Sequence, residues 1–121
     1  MAIVTIYGVN NSESTREARD YFSDCDGSVR YVDLSCRAMD AMDMQRFLWA
    51  FSLSELVDTA GAAYGELAAK RTSVPEGEIL AGFSRAPSLM RLPLVLGGGR
   101  FAIGDDERAW QRIALGLSSK G

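Results

Sequence analysis

The stretch Gly8-Val9-Asn10-Asn11-Ser12-Glu13-Ser14-Thr15-Arg16-Glu17 decides how this chain folds. It follows the apolar run Ile3-Val4-Thr5-Ile6-Tyr7, which predicts a strand, and it leads into a helix that we expect over residues 13–24. A strand, a short polar loop and a helix N-terminus often form a site for an anion or a thiolate, because free backbone N–H groups and the helix dipole stabilise negative charge. The chemistry of this loop therefore depends on the side chains that it carries.

The loop carries a hydroxyl where a thiol nucleophile is expected, at Ser12. A serine hydroxyl needs an adjacent base, and the chain contains no histidine, so catalysis of the Ser-His kind is excluded. Ser12 and Ser14 also suit helix capping, with Ser14 and Glu17 expected to form a capping box. Arg16 is either a solvated helix residue or part of a weak site for sulfate, phosphate or carboxylate. The site is predicted to bind without reacting.

Composition narrows the possible classes of function. The chain has 121 residues, of which 47% are hydrophobic, and this suits one domain that spans residues 1–121. A net charge of -3 and the absence of any basic run argue against direct nucleic-acid binding. The sequence enters a strand at once, without a basic leader or a long apolar segment, so we expect a cytoplasmic protein with no membrane span.

The two cysteines do not form a recognisable metal or redox motif. Cys25 and Cys36 are not a Cys-x-x-Cys pair, and without histidine they cannot build a common zinc site, so no metal is expected. Cys25 continues an apolar helical stripe, which favours a buried structural thiol. Cys36 follows a predicted strand over residues 29–34 in a loop, where it could be accessible.

The rest of the chain predicts an α/β fold. Helical periodicity and capping signals fill a long middle segment, from about residue 39 to 89. Leu94-Val95-Leu96 and Phe101-Ala102-Ile103 flank Gly97-Gly98-Gly99-Arg100, which predicts a β-hairpin before a C-terminal helix. The order is a βαβ unit, several helices, a hairpin and a helix. It predicts a four-stranded mixed sheet on a thioredoxin-like (glutaredoxin-like) plan, with a helical insertion between the second and third strands.

The chain resembles the small arsenate reductases that use glutaredoxin, the ArsC family, together with their relatives the Spx-type transcription regulators. The likeness covers nearly the whole chain and is carried by several short segments: Ile6-Tyr7, residues 11–18, Tyr31-Val32-Asp33-Leu34, Leu56-Val57-Asp58-Thr59, Ala63-Tyr64-Gly65-Glu66-Leu67, Leu89-Met90-Arg91-Leu92-Pro93-Leu94-Val95 and Arg100-Phe101-Ala102-Ile103-Gly104. The resemblance implies a thioredoxin-like fold and a cis peptide bond before Pro93.

The resemblance also implies roles for individual residues. It places the family's catalytic cysteine at Ser12 and its trailing arginine at Arg16, and the family's other oxyanion-binding arginines near Asp58, at Arg91 and at Asp105. Two of those three positions are acidic here, which reverses the local charge and removes a bidentate clamp. The candidate ligand or anion site therefore comprises five residues: Asn11, Ser12, Arg16, Arg91 and Pro93.

Two function hypotheses follow. The first is a non-catalytic, redox-inactive member of the family, a binding or regulatory module that contacts another, unidentified protein through the Asn11, Ser12, Arg16 and Pro93 groove or through the helical insertion, and that needs no cofactor. The second is a glutathione-dependent thiol oxidoreductase or arsenate-reductase-like enzyme that acts through Cys36 or Cys25, or through glutathione bound beside Ser12. The ligands considered for the site are a small anion and, in the second hypothesis, glutathione. A buried Cys25 and a Cys36 remote from Ser12 would favour the first hypothesis, and we expect that arrangement.

Overall fold

The computed structural model describes residues 3–24, 28–69 and 75–118. Within these ranges the strands are β1 (Ile3–Gly8), β2 (Ser28–Asp33), β3 (Leu94–Gly97) and β4 (Arg100–Ile103). The helices are α1 (Glu13–Ser23), α2 (Ala41–Ala50), α3 (Leu53–Leu56), α4 (Ala62–Ala68), α5 (Glu76–Arg85) and α6 (Glu107–Ser118). A turn of 3-10 helix, Pro87–Leu89, precedes β3.

The described strands form a four-stranded mixed sheet in the order β2-β1-β3-β4. β1 pairs in parallel with β2, with Gly8 opposite Asp33, and antiparallel with β3, with Tyr7 opposite Leu94. β4 closes the sheet as the antiparallel partner of β3. The predicted fold class, a thioredoxin-like mixed sheet with a helical insertion between the second and third strands, is confirmed.

The hairpin between β3 and β4 has the glycine-rich turn that the sequence predicts. Gly97 is the last residue of β3, while Gly98 and Gly99 form the turn with φ of 58° and 77°. A two-residue turn with positive φ at both positions matches the right-handed twist of the flanking strands, and glycine adopts it without a steric penalty.

The chain divides into two compact units. The sheet unit comprises the described residues of Met1–Arg37 and Leu92–Gly121, and the helical unit comprises those of Ala38–Arg91. Each unit is treated by itself below. That residues 1–121 act as one domain stays a prediction from the sequence.

In the sheet unit, α1 and α6 cover one face of the sheet. Their apolar residues pack against alternate side chains of the strands, because successive strand residues point to opposite faces. The buried members of this core are Val4, Ile6, Ala18, Phe22, Val95, Ala102, Ala109, Trp110 and Ile113. Trp110 lies 5.9 Å from Tyr21 and 6.5 Å from Phe22 between ring centroids, so aromatic contacts join the two helices. This packing fixes α1 on the sheet and thereby fixes the loop before it.

In the helical unit, capping and apolar burial account for the short helices. Ser52 and Glu55 form the capping box at the start of α3: the Ser52 N–H donates to Glu55 Oε1 at 2.8 Å, and the Glu55 N–H donates to Ser52 Oγ at 3.3 Å. Phe47 of α2 is buried and stacks on Phe51 with 6.4 Å between ring centroids. None of the helices in the described ranges has the length and hydropathy that a membrane crossing requires.

Gly8 and Thr15 meet closely where β1 leads toward α1. Thr15 is fully buried, and a Cβ placed on Gly8 would overlap its side chain, with Thr15 Cγ2 at 2.5 Å and Thr15 Cβ at 3.0 Å. Threonine is branched at Cβ and has little rotamer freedom in a helix, so it cannot swing away. The absence of a side chain at Gly8 thus allows the first turn of α1 to approach the end of β1.

We expect Gly8→Ala to lower the free energy of unfolding by about 1 to 3 kcal/mol, since the added methyl group overpacks a rigid contact. Gly65→Ala is the matched control, because Gly65 lies inside α4 and nothing lies within 4 Å of its added Cβ. That control should leave stability unchanged or raise it by up to about 1 kcal/mol. Urea unfolding monitored by circular dichroism measures both, and equal stabilities for Gly8→Ala and the parent protein would contradict the packing argument.

Candidate functional site

Ser12 begins α1 as its N-cap. Its φ and ψ of -88° and 120° are extended, and its Oγ accepts a hydrogen bond from the Thr15 N–H at 3.2 Å. Ser14 lies inside the first turn, so the expected capping box of Ser14 and Glu17 is wrong. The cap is set two residues earlier because Thr15, rather than Glu17, occupies the third helical position, where its buried side chain packs against Gly8.

The first turn of α1 presents donors that suit an anion. Among the described residues, the N–H groups of Glu13 and Ser14 donate no hydrogen bond, whereas the Thr15 N–H donates to Ser12 Oγ and the Arg16 N–H donates to the Ser12 carbonyl. Free N–H groups at a helix N-terminus attract negative charge. These donors suit an anion, and the anion site at this position stays a prediction from the sequence.

Asn10 joins this loop to the neighbouring strand. Its carbonyl oxygen accepts from Arg16 Nη1 at 3.0 Å, and its side-chain oxygen accepts from the Tyr31 hydroxyl at 2.8 Å. Its amide Nδ2 donates to Asp33 Oδ2 at 3.3 Å. Arg16 is thus held back against the loop by one of its nitrogens, and Tyr31 and Asp33 of β2 hold the loop from the other side.

Asp33 ends β2 and collects hydrogen bonds at both carboxylate oxygens. Ser35 donates to Oδ1 twice, from its hydroxyl at 2.6 Å and from its backbone N–H at 3.0 Å. These two bonds from Ser35 hold the pKa of the Asp33 carboxyl below its usual value. The carboxylate is therefore ionised at neutral pH beside the loop.

Cys36 is exposed and lies beside the same carboxylate. Its Sγ donates to Asp33 Oδ2 at 3.5 Å, and Asp33 Oδ2 also accepts from Asn10. One carboxylate therefore connects Cys36 to the loop that carries Ser12, although a remote Cys36 was expected from the sequence. Cys25 lies outside the described residues.

A groove runs between α1 and β2. It has a volume of about 690 Å³ and is lined by Arg16, Arg19, Asp20, Phe22, Ser23, Val29 and Tyr31. The Arg19 guanidinium carbon lies 4.0 Å from the centroid of the Tyr31 ring, a cation–π contact. Partial burial and the nearby Asp33 carboxylate raise the pKa of Tyr31 above its usual value, against the opposing effect of Arg19.

Of the remaining candidate residues, Asn11 lies in the same loop as Ser12, whereas Arg91 and Pro93 lie farther along the chain. The Leu92–Pro93 peptide bond is cis, as expected, and Pro93 is buried with its carbonyl accepting from the Gly104 N–H at 3.0 Å. Arg91 belongs to the helical unit, where its Nε donates to the Val57 carbonyl at 3.2 Å. Asn11 is exposed between Asn10 and the cap.

The two acidic positions have ordinary structural surroundings. Asp58 makes a turn of its own, accepting from the Ala60 N–H at 3.3 Å, and Asp105 is exposed before α6. The part of the chain that the structure describes contains no group of three or more side chains able to hold a metal ion.

The candidate site predicted from the sequence did not include Asn10, Tyr31 and Asp33, which form the centre of the hydrogen-bonded network. Parallel pairing brings the ends of two adjacent strands to the same edge of a sheet, so polar residues after β1 and at the end of β2 were the available signal. The exact side-chain partners depend on register, which periodicity alone does not determine.

A model of the ArsC family matches residues 7–113 of the chain. The chain belongs to the ArsC family. The match runs from β1 into α6 and thus includes the loop, the helical unit and the hairpin of this ArsC-family protein. No curated protein is significantly similar to it in sequence.

Solved structures share the fold of this ArsC-family protein. The YffB protein is 18% identical with a TM-score of 0.78, over 92% of this chain and 98% of its own. An arsenate reductase from Vibrio cholerae is 15% identical with a TM-score of 0.76, over 92% of this chain and 97% of its own. An arsenate reductase related protein from Brucella melitensis is 24% identical with a TM-score of 0.66, over 90% of this chain and 92% of its own. At these identities the likeness shows the fold.

We expect Ser12→Ala to lower the free energy of unfolding by about 1 kcal/mol, because it removes the hydroxyl that caps α1. Ser14→Ala is the matched control from the same turn, and it should leave stability within about 0.5 kcal/mol of the parent value, since Ser14 caps nothing. Chemical denaturation compares the two. A larger loss for Ser14→Ala than for Ser12→Ala would show that the cap has been assigned to the wrong serine.

A second prediction concerns the pH dependence of the Asp33 network. The pKa of Asp33 is lowered in the folded chain, so its hydrogen bonds add stability above the unfolded pKa of about 3.9, and that contribution is lost as the pH falls through the folded pKa. Ser35→Ala should raise the pKa of Asp33 and reduce stability at neutral pH, with the difference from the parent protein shrinking in acid.

NMR titration of the Asp33 carboxyl carbon measures this shift. Ser52→Ala is the matched control, because Ser52 holds the pKa of Glu55 down through the same two kinds of hydrogen bond. That variant should raise the pKa of Glu55 and leave that of Asp33 unchanged. An Asp33 pKa that does not move in Ser35→Ala would rule out the Ser35 hydroxyl as a cause of the lowered pKa.

Proposed function

We propose that this chain is a non-catalytic ArsC-family protein that binds another protein and has no redox turnover of its own. One observation carries the proposal: the Ser12 hydroxyl, at the position that the resemblance assigns to the family's cysteine, accepts a hydrogen bond from the Thr15 N–H as a helix cap. A cap with its oxygen used as an acceptor stabilises α1 and leaves no thiolate at the site.

The surroundings of Ser12 support the same conclusion. A serine becomes a nucleophile only when a base takes its proton, and the chain contains no histidine. Among the described residues, the Ser12 side chain hydrogen-bonds to the Thr15 N–H, and no carboxylate or amine is hydrogen-bonded to its hydroxyl. The described residues therefore offer no base for the Ser12 proton.

A small anion, or the carboxylate of a partner, is the ligand that best suits the start of α1. The free N–H groups of Glu13 and Ser14 and the partly engaged guanidinium of Arg16 favour negative charge. The carboxylates at Asp58 and Asp105 replace the arginines that the resemblance implies there, which weakens any clamp for a tetrahedral oxyanion. Binding without reduction follows from this combination.

A second candidate function is thiol oxidoreduction through Cys36, and its exposure beside the loop favours it. In that reaction the Cys36 thiolate would attack a mixed disulfide of glutathione, forming a new disulfide and releasing the leaving thiolate, and a second glutathione would regenerate Cys36. The Cys36 Sγ is hydrogen-bonded to the Asp33 carboxylate, whereas the neighbours that activate a reactive cysteine are positively charged. This contact supplies the opposite charge, and we rank thiol oxidoreduction second.

The test is NADPH oxidation coupled to glutathione and glutathione reductase, with a small mixed disulfide as substrate in the absence of glutaredoxin, and with arsenate as substrate in its presence. We expect no turnover by the parent protein and none by Cys36→Ser. Ser12→Cys should gain a thiol with a pKa below the ordinary value of about 8.5, because the helix N-terminus and Arg16 remain, and it should gain disulfide exchange with it.

The outcomes separate the two candidates. Turnover by the parent protein that disappears in Cys36→Ser would establish the second function and overturn the first. Turnover that survives in Cys36→Ser would point to Cys25 or to bound glutathione and would also overturn the first. A cytoplasmic location and a regulatory role of the Spx kind stay predictions from the sequence.

A further inference from the structure

β2 forms one edge of the sheet, and its backbone is open on the outer side. The Leu34 N–H donates to the Gly8 carbonyl at 2.8 Å, so Leu34 points toward β1. Backbone groups of successive strand residues point to opposite sides, so Val29 and Tyr31 point away from β1. Among the described residues no backbone group bonds to the outer N–H and C=O of Val29 and Tyr31. An edge of this kind is a template for another strand.

The same two residues line the groove beside α1. Val29 is exposed, Tyr31 is partly exposed, and both share the 690 Å³ groove with Arg16 and Arg19. A strand added to β2 would therefore bond to the backbone of Val29 and Tyr31 and place alternate side chains in this groove. Backbone bonds provide affinity in this mode of recognition, and the adjoining pocket provides specificity.

The charge of the β2 edge indicates the chemistry of the segment that would pair with it. The groove carries the exposed Arg16 and Arg19 and one carboxylate, Asp20. β2 itself adds the exposed Arg30 on its other face and the ionised Asp33 at its end, so three arginines face two carboxylates. This edge is thus locally positive on a chain whose net charge is -3. Carboxylates facing both sides of β2 would be attracted, and basic segments would be repelled.

We propose that β2 binds an extended acidic segment of a partner protein, which pairs with it as a fifth strand and places carboxylates against Arg16 and Arg19, with an apolar side chain over Val29. This inference rests on the proposed binding role and names the surface and the chemistry of the partner. It uses the outer edge of β2 and the groove, whereas the cap at Ser12 concerns the loss of the reaction.

A second copy of the chain fits this edge less well. Antiparallel pairing of two β2 strands about a two-fold axis through residue 30 places Arg30 beside Arg30 of the other copy. Like charges directly opposite one another destabilise a strand pair, and charged residues on edge strands commonly prevent self-association. The positive charge of Arg30 thus opposes pairing with a second copy and attracts an acidic strand.

The test uses a fluorescein-labelled octapeptide of alternating glutamate and valine, with fluorescence anisotropy as the readout. We expect saturable binding to the full chain that weakens as salt is added, and no comparable binding of the same peptide with lysine in place of glutamate. Amide NMR shifts should concentrate on Val29, Tyr31 and Arg19. Absence of binding up to about 1 mM peptide, or equal binding of the lysine peptide, would overturn the inference.

Two pairs of variants separate the backbone contribution from the charge contribution. Val29→Pro removes an outward N–H without removing a bond to β1 and should abolish binding, while Val29→Thr keeps that N–H and should bind within about twofold of the parent protein. Arg19→Glu should weaken binding about tenfold or more at low salt, and the control Arg108→Glu on α6 should leave it within twofold. If Val29→Pro does not fold, the arginine pair decides the outcome.

Other outcomes point elsewhere. Peptide shifts confined to the exposed Met42 and Trp49 of α2, or a dimer in sedimentation equilibrium that Val29→Pro breaks, would overturn the acidic-strand assignment. Failure of peptide binding with no redox turnover overturns this inference alone. Redox turnover by the parent protein overturns the proposed function, whatever the peptide does.

Discussion

The parallel pairing of β1 with β2 is the interaction on which the rest of the site depends. It sets Gly8 opposite Asp33 and lets the Leu34 N–H reach the Gly8 carbonyl at 2.8 Å, so both strands end at the same edge of the sheet. The loop after β1 can then use the side chains at the end of β2. Asn10 accepts hydrogen bonds from Arg16 and Tyr31 and donates one to Asp33. This register brings Tyr31 and Asp33 within reach of the loop.

Local signals predicted much of this arrangement. The apolar run of β1, the glycine pair at the hairpin, the Ser52 capping box and the cis bond before Pro93 each depend on a few neighbouring residues or on a resemblance that includes them. Local signals did not determine which serine caps the start of α1. Ser14 with Glu17 matches the capping pattern better than Ser12 does, yet the close approach of Thr15 to Gly8 starts the helix at Ser12. That contact joins a strand to a helix, and periodicity does not encode it.

The polar network around Asp33 escaped prediction for a related reason. Each of its members is an ordinary surface residue in the sequence, and the network exists only once two strands are paired in one register. Its chemistry also changes how Cys36 is interpreted. The carboxylate that accepts from the Cys36 thiol has its pKa lowered by the bonds from Ser35, so the group that links this thiol to the loop is an anion. Reactive cysteines are activated by positively charged neighbours, and this contact supplies the opposite charge.

Tyr31 connects the loop with the outer edge of the sheet. Its hydroxyl donates to Asn10, its ring lies under Arg19, and its backbone faces outward from β2. A strand bound at that edge would draw carboxylates toward Arg16 and Arg19, and Arg16 is the residue that also holds the Asn10 carbonyl. Competition for the Arg16 guanidinium would loosen its bond to the loop, so under the proposed strand binding the occupancy of the edge would be coupled to the conformation before Ser12 through shared donors. Such coupling would give the loop a use that requires no reaction.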